Sequence, residues 1–236
     1  MKLLENTTSH AQADRERFPR DRPAAAHVRQ LLVALKILDI GALTAGLRNA
    51  QLQFDTRSFM LDILIPALQE TGHEVAAKRL DIFHEHAFSA LARSVLSGLL
   101  HATMDRSPEG AIVFAAPEGE LHEFAILIAA ILASLNGFSV FYLGPNVPAA
   151  SVIKAVNAVN ARLCVLGVSA PPEALPGAEL KKFLSAVARG LPKDTPLWLG
   201  GGRCAGTLPA TLRAKDKILP RLSDFERELR LATLPK

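Results

Sequence analysis

Residues 111–135 read AIVFAAPEGELHEFAILIAAILASL. An uncharged run, AIVFAAP, gives way to a polar turn, EGELHEF, and then to an apolar stretch too long for a strand. A short continuous apolar run is what a parallel strand covered on both faces requires. The segment that follows, 122–135, has the length of a helix. This strand–turn–helix unit sets the reading of everything downstream.

The alternation repeats. SVFYLGP (139–145) precedes a helix expected over 148–159, and RLCVLGVS (162–169) precedes one over 177–189. PLWLGGG (196–202) leads into a looser stretch, and DKILP (216–220) precedes SDFERELRLATL (223–234), where Ser223 and Glu226 read as a capping box. Apolar runs alternating with helices predict a flavodoxin/Rossmann-like α/β domain over 106–236, with a parallel five-stranded sheet.

Upstream the rhythm is helical. Over 26–105 the pattern predicts a bundle of about four helices. In its last segment Ile82, Phe83, Ala87, Ala90, Leu91, Val95 and Leu99 are expected to form the buried face. Residues 1–25 are polar and proline-punctuated and read as a flexible tail. The fold class is therefore α/β with an N-terminal helical bundle.

Composition narrows the function classes. The chain has 236 residues, 49% hydrophobic and 21% charged, which suits a folded core rather than a disordered chain. A net charge of +4 without a Lys/Arg run does not make a nucleic-acid footprint. Two cysteines, Cys164 and Cys204, form neither a disulfide framework nor a metal-ligand spacing. No apolar run has the roughly 20 residues of a membrane span, and residues 1–30 lack a signal-peptide core. A soluble protein of the reducing cytoplasm is expected.

In a doubly wound sheet, ligands gather outside the carboxyl ends of the strands. Four stretches fall there: APEGELHEF, LGPNVP, VSAPPEALPG and GGGRCAG. They carry His122, Ser169 and the triplet Gly200–Gly201–Gly202. Alone, His122 reads as a solvated residue at a helix start, and the glycines as a turn or a phosphate cradle. No GxGxxG follows the first strand and no Walker lysine is present. No nucleophile–base pair or carboxylate dyad stands at the strand ends, so an enzyme is not expected. His84 and His101 read as structural, Trp198 and Phe138 as core, and Cys164 as a buried strand residue.

Taken together the three features resemble a fingerprint. Glu120-x-His122-x-x-Ala125, then 43 residues, then Ser169-x-Pro171, then 28 residues, then Gly200-Gly201 is similar to the cobalamin-binding domain family. That family includes methionine synthase, the corrinoid methyl carriers and B12-dependent regulators. Its own pattern has Asp, Gly and Leu where this chain has Glu120, Ala125 and Pro171. The helical half resembles the bundle that caps the cobalt in these proteins, through Pro66-Ala67-Leu68, Gly72 and the pair Glu85-His86, with Val75 at the family's tryptophan position.

The resemblance implies a cobalamin, hydroxocobalamin rather than adenosylcobalamin. His122 would be its lower axial ligand and Glu120 the carboxylate behind it. Ser169 and Gly200–Gly202 would sit along the nucleotide tail. His84 and His86 lie about 200° apart on a helix, so one of them at most faces the corrin; the Glu85-His86 match selects His86 as a possible upper ligand, a half-buried helix histidine being the alternative. Valine at 75 would leave the upper face open.

A chain without a DNA-reading helix-turn-helix most resembles the AerR/PpaA antirepressors of photosynthesis genes in purple bacteria. This implies a light-responsive regulator acting on a repressor of the PpsR/CrtJ type, with direct DNA contact left open. A heme sensor on the same scaffold and a corrinoid methyl carrier remain alternatives, since both metals accept imidazole.

Overall fold

The computed structural model describes residues 23–103, 110–169, 175–202 and 212–233. Most of the expected tail, together with Ala170, Pro171 and Cys204, lies outside them. The chain divides into two compact units, 1–95 and 96–236.

The first unit is helical. Helix α1 (Pro23–Lys36) begins with proline at its first position, where the missing N–H costs nothing. Helix α2 (Ile40–Gln53) is capped by Asp39, whose carboxylate accepts from the Ala42 N–H at 2.8 Å. Asp55 caps the next helix in the same way, accepting from Ser58 N–H at 2.9 Å. That helix, α3, runs over 56–76 as an α turn (Thr56–Ser58), a π-helical stretch (Phe59–Leu64) and an α segment (Ile65–Ala76). The wide stretch stands directly before Pro66, the one proline of the segment. A proline inside a helix removes one ladder bond and crowds the carbonyl four residues back, and a π turn relieves both.

Helix α4 (Ile82–Thr103) starts in the first unit and ends in the second. Its deepest line is Phe88, Ala92, Leu96 and Leu100, one step around the helix from the face expected from sequence. Ile82 and Phe83 are half exposed, at 53% and 50%, and Ala90 is exposed. The pattern carried apolar residues on adjoining lines, and spacing alone did not say which line the neighbouring helices cover.

The second unit is the expected α/β layer structure. Its strands are β1 (Ile112–Pro117), β2 (Val140–Val147), β3 (Leu163–Gly167), β4 (Leu197–Gly200) and β5 (Lys217–Leu219). All pairings are parallel and the order is β2-β1-β3-β4-β5. Helices α5 (Phe124–Leu135), α6 (Ala149–Ala158) and α7 (Gly177–Gly190) follow β1, β2 and β3, and α8 (Leu222–Thr233) follows β5. The last begins at Leu222, so Ser223 lies inside it and the expected capping box is displaced from the true end.

Strands β1 and β3 are buried along their whole length, as continuous apolar runs demand. One core layer joins Val113, Cys164, Leu166 and Leu199 to Val152, Leu180, Leu184 and Val187 of α6 and α7. On the opposite face α5 is apolar all round and buried from Ile126 to Ser134. It packs close to β3 because Gly167 has no side chain; a Cβ there would lie 2.9 Å from Ile126 Cβ. At the amino ends of the strands, buried Asp216 accepts from the Leu197 N–H and the Arg213 N–H, each at 2.8 Å. That end is tied down, and the carboxyl end carries the loops.

Candidate functional site

Strand β1 lies between β2 and β3, so the chain leaves the sheet in opposite directions from β1 and β3. This switch point opens a crevice at their carboxyl ends. The loop after β1 turns at Gly119, which takes φ +85. The Glu120 N–H closes the turn on the Pro117 carbonyl at 2.9 Å. Asn146, at the end of β2 and in the left-handed region, holds the loop from the other side. Its side-chain oxygen accepts from the Gly119 N–H at 2.9 Å, and its own N–H donates to the Glu120 carbonyl at 3.0 Å.

This frame buries the Glu120 side chain completely while His122 remains 59% exposed. Oε1 of Glu120 accepts from the His122 backbone N–H and faces His122 Nδ1, both at 2.8 Å. Oε2 accepts from the Ser169 backbone N–H at 2.6 Å, just past the end of β3. A carboxylate only accepts, so the Nδ1 it faces carries the proton. In the neutral ring Nε2 then keeps its lone pair, and the contact holds the ring in one orientation. Metal-ligating histidines commonly hold their other ring nitrogen against a carboxylate in this way. Among the described residues no group of three or more His, Cys, Asp or Glu side chains could enclose a metal ion, so the site offers one imidazole rather than a closed cage.

His122 stands in the turn two residues before α5 rather than on its first turn. Glu123, directly before the helix, is buried and accepts from the Tyr142 hydroxyl at 3.4 Å. Ser169 takes part through its backbone; its side chain is exposed.

Beside the turn is a cavity of about 70 Å³ whose lining includes Ala125, Ala129, Gly167, Ser169, Trp198, Gly200, Gly201, Leu219, Arg221 and Phe225. The glycine triplet divides by cause. Gly201 has φ +106, and a Cβ there would sit 2.1 Å from the Val168 carbonyl oxygen, so the fold itself requires glycine. At Gly200 the nearest atoms to a Cβ would be 3.8 Å and 3.9 Å away, and at Gly202 none lies within 4 Å. No protein contact forbids a side chain at those two positions. At Gly200 the added carbon would instead fill the cavity that the residue lines.

Sequence reasoning missed three members of this neighbourhood. Trp198, read as core, is 6% exposed yet lines the cavity. Arg221, just before α8, and Phe225, in its first turn, line it far from the motif residues in sequence. Val75, Glu85 and His86 belong to the helical unit. Val75 and Glu85 are half-buried and His86 is exposed, whereas His84 stacks on Phe83 at 4.1 Å and meets the Asp81 backbone.

The architecture defines a class, the doubly wound parallel sheet preceded by a helical bundle. Within it the chain is similar to the monomethylamine corrinoid protein of Methanosarcina barkeri, with a TM-score of 0.63 at 15% identity, covering 85% of this chain and 96% of that one. At that identity the likeness establishes the fold. In sequence it is similar to two HTH-type transcriptional repressors of Myxococcus xanthus. CarA is 30% identical over 135 residues, 57% of this chain and 45% of CarA. CarH is 30% identical over 140 residues, 59% of this chain and 46% of CarH. The chain thus spans under half the length of these relatives. No protein-family profile matches it. Among the described residues no helix is long and apolar enough to cross a membrane.

Proposed function

We propose that the chain binds a cobalamin and acts as a regulator of transcription. The observation that carries this reading is His122, an exposed imidazole whose Nδ1 is tied to a fully buried carboxylate, beside a glycine-floored cavity. The residues fit the cofactor. His122 Nε2 is a nitrogen donor of the type cobalt takes, Glu120 orients the ring through Nδ1, and Gly200 leaves the cavity open where a Cβ would fill it.

When bound, the cofactor would supply a cobalt centre that takes a nitrogen donor and can change redox state. The protein's part is to present one oriented imidazole beside a largely apolar cavity. His86 is the proposed upper ligand, with Glu85 beside it and Val75 nearby in sequence; a His86→Ala holoprotein spectrum identical to wild type would remove it. The similarity to CarA and CarH, both named as repressors, supports a regulatory role over a methyl carrier. Response to light and an antirepressor action on a PpsR/CrtJ-type repressor complete the proposal.

The experiment is reconstitution of the purified chain with hydroxocobalamin and, separately, with heme, followed by gel filtration. Stoichiometric retention of cobalamin is expected. Retention of heme alone would replace the cobalamin reading with a heme sensor, and methyl transfer from a methylated corrinoid to a thiol acceptor would favour a carrier.

A further inference from the structure

We infer that Asn146 is a positioning residue for His122: from the neighbouring strand it clamps the loop that carries the imidazole. The inference rests on the proposed corrinoid binding and deepens it, by naming what holds the ligand still before the cofactor arrives.

Strand β2 is built to reach this loop. As far as Phe114 and Tyr142 its register with β1 runs residue for residue. Beyond them Ala115 pairs with Gly144 and Pro117 with Val147, so β2 gains a residue on β1 at each of these steps. Bulges of this kind bend a strand and re-aim its side chains. Gly144, with φ +87, and Asn146, with φ +57, take up the bend in the left-handed region, which asparagine enters more readily than most residues. Asn146 then meets the loop through two groups. Its side-chain oxygen accepts from the Gly119 N–H at 2.9 Å and its own N–H donates to the Glu120 carbonyl at 3.0 Å. On the far side of His122 the Tyr142 hydroxyl, from the same strand, donates to Glu123 at 3.4 Å. Strand β2 therefore holds the loop on both sides of the histidine.

Asn146 is exposed, so core packing does not account for it. Leu121 and His122 are exposed as well, and the tip of the loop is kept in place by the buried Glu120 and by these bonds rather than by burial of its own. A ligand already ordered before binding does not lose that freedom when the partner arrives, which raises affinity without a new contact.

Backbone 15N relaxation of the full chain without cofactor, together with equilibrium dialysis against hydroxocobalamin, tests this. Asn146→Gly keeps the left-handed backbone and removes the side-chain acceptor; Asn146→Asp keeps the acceptor and tolerates the same φ. Order parameters of residues 119–122 should be near about 0.85 in wild type, fall toward about 0.6 in Asn146→Gly, and recover in Asn146→Asp. Asn146→Gly should also hold hydroxocobalamin about fivefold more weakly, the scale of one neutral hydrogen bond. Its urea midpoint, followed by Trp198 fluorescence, should stay close to wild type. Unchanged loop order in Asn146→Gly would overturn the clamp. Lower order with unchanged affinity, or with a large fall in the urea midpoint, would overturn its role in presenting His122. Weaker binding without loss of order would make Asn146 a direct contact of the cofactor and overturn the inference too. Should wild type take up no cobalamin, the corrinoid reading falls, and the order parameters still decide whether Asn146 holds the loop of His122.

Discussion

Replacing Glu120 by glutamine changes one atom in a fully buried side chain, and its cost follows from the donors around it. Oε1 takes two N–H groups from His122 and Oε2 takes the Ser169 N–H. Glutamine has one oxygen, so one of these sets must face an NH2 group. The solvated ring of His122 can turn to water, whereas its backbone N–H and that of Ser169 are held by the loop. Leaving a buried donor unmatched and losing a charge-assisted bond should cost roughly 2–3 kcal/mol.

Trp198 is the one tryptophan of the chain and lies in the α/β unit, so its fluorescence follows the unfolding of that unit by urea. With a slope of about 2–3 kcal/mol per molar, the midpoint should fall by roughly 1 M. In the same variant the imidazole should lose its preference for the Nδ1–H tautomer, which 15N NMR reads directly. A midpoint and a tautomer both unchanged would refute the role given to Glu120.

Further outcomes follow from the glycines and from Cys164. Gly201→Ala should destabilise the α/β unit by at least about 3 kcal/mol, because a left-handed φ and a 2.1 Å clash act together. Gly202→Ala should stay within about 0.5 kcal/mol of wild type in the same urea titration. Gly200→Ala should melt like wild type yet bind cobalamin more weakly in dialysis, since its Cβ enters the cavity instead of the protein. Burial pushes the Cys164 thiol up to about 12, so peptide mapping should find it unlabelled by iodoacetamide at pH 8 until the protein unfolds. By linkage, the stability this thiol contributes is complete below its unfolded value near 9 and is lost as pH rises toward 12, which urea midpoints across that range would record.

The strands were legible because each is a continuous apolar run bounded by Gly, Pro or a polar turn. Even the three-residue β5 showed as KIL before Pro220. Their order was not legible, since several right-handed parallel arrangements share one pattern of runs. His122, Ser169 and Gly200 could be picked out by spacing, and the structure brings the loops that carry them together. What spacing could not show is that Glu120 does the joining, through the Ser169 backbone rather than its hydroxyl. Arg221 and Phe225 were hidden because they follow the last strand, where no local motif marks them as cavity lining. The buried line of α4 was misjudged where two apolar lines run side by side, and the π turn before Pro66 depends on ladder geometry that composition does not encode.

The central claim is that a protein histidine, His122, sits on the cobalt. Electron paramagnetic resonance of the reduced Co(II) form, prepared in protein with 15N-labelled histidine, addresses it most directly. An axial 14N splits each cobalt line into three and an axial 15N into two. Two-line splitting that disappears in His122→Ala is the result expected. Three-line splitting unaffected by the label would mean that the cofactor's own base remains on the metal, and would contradict the account.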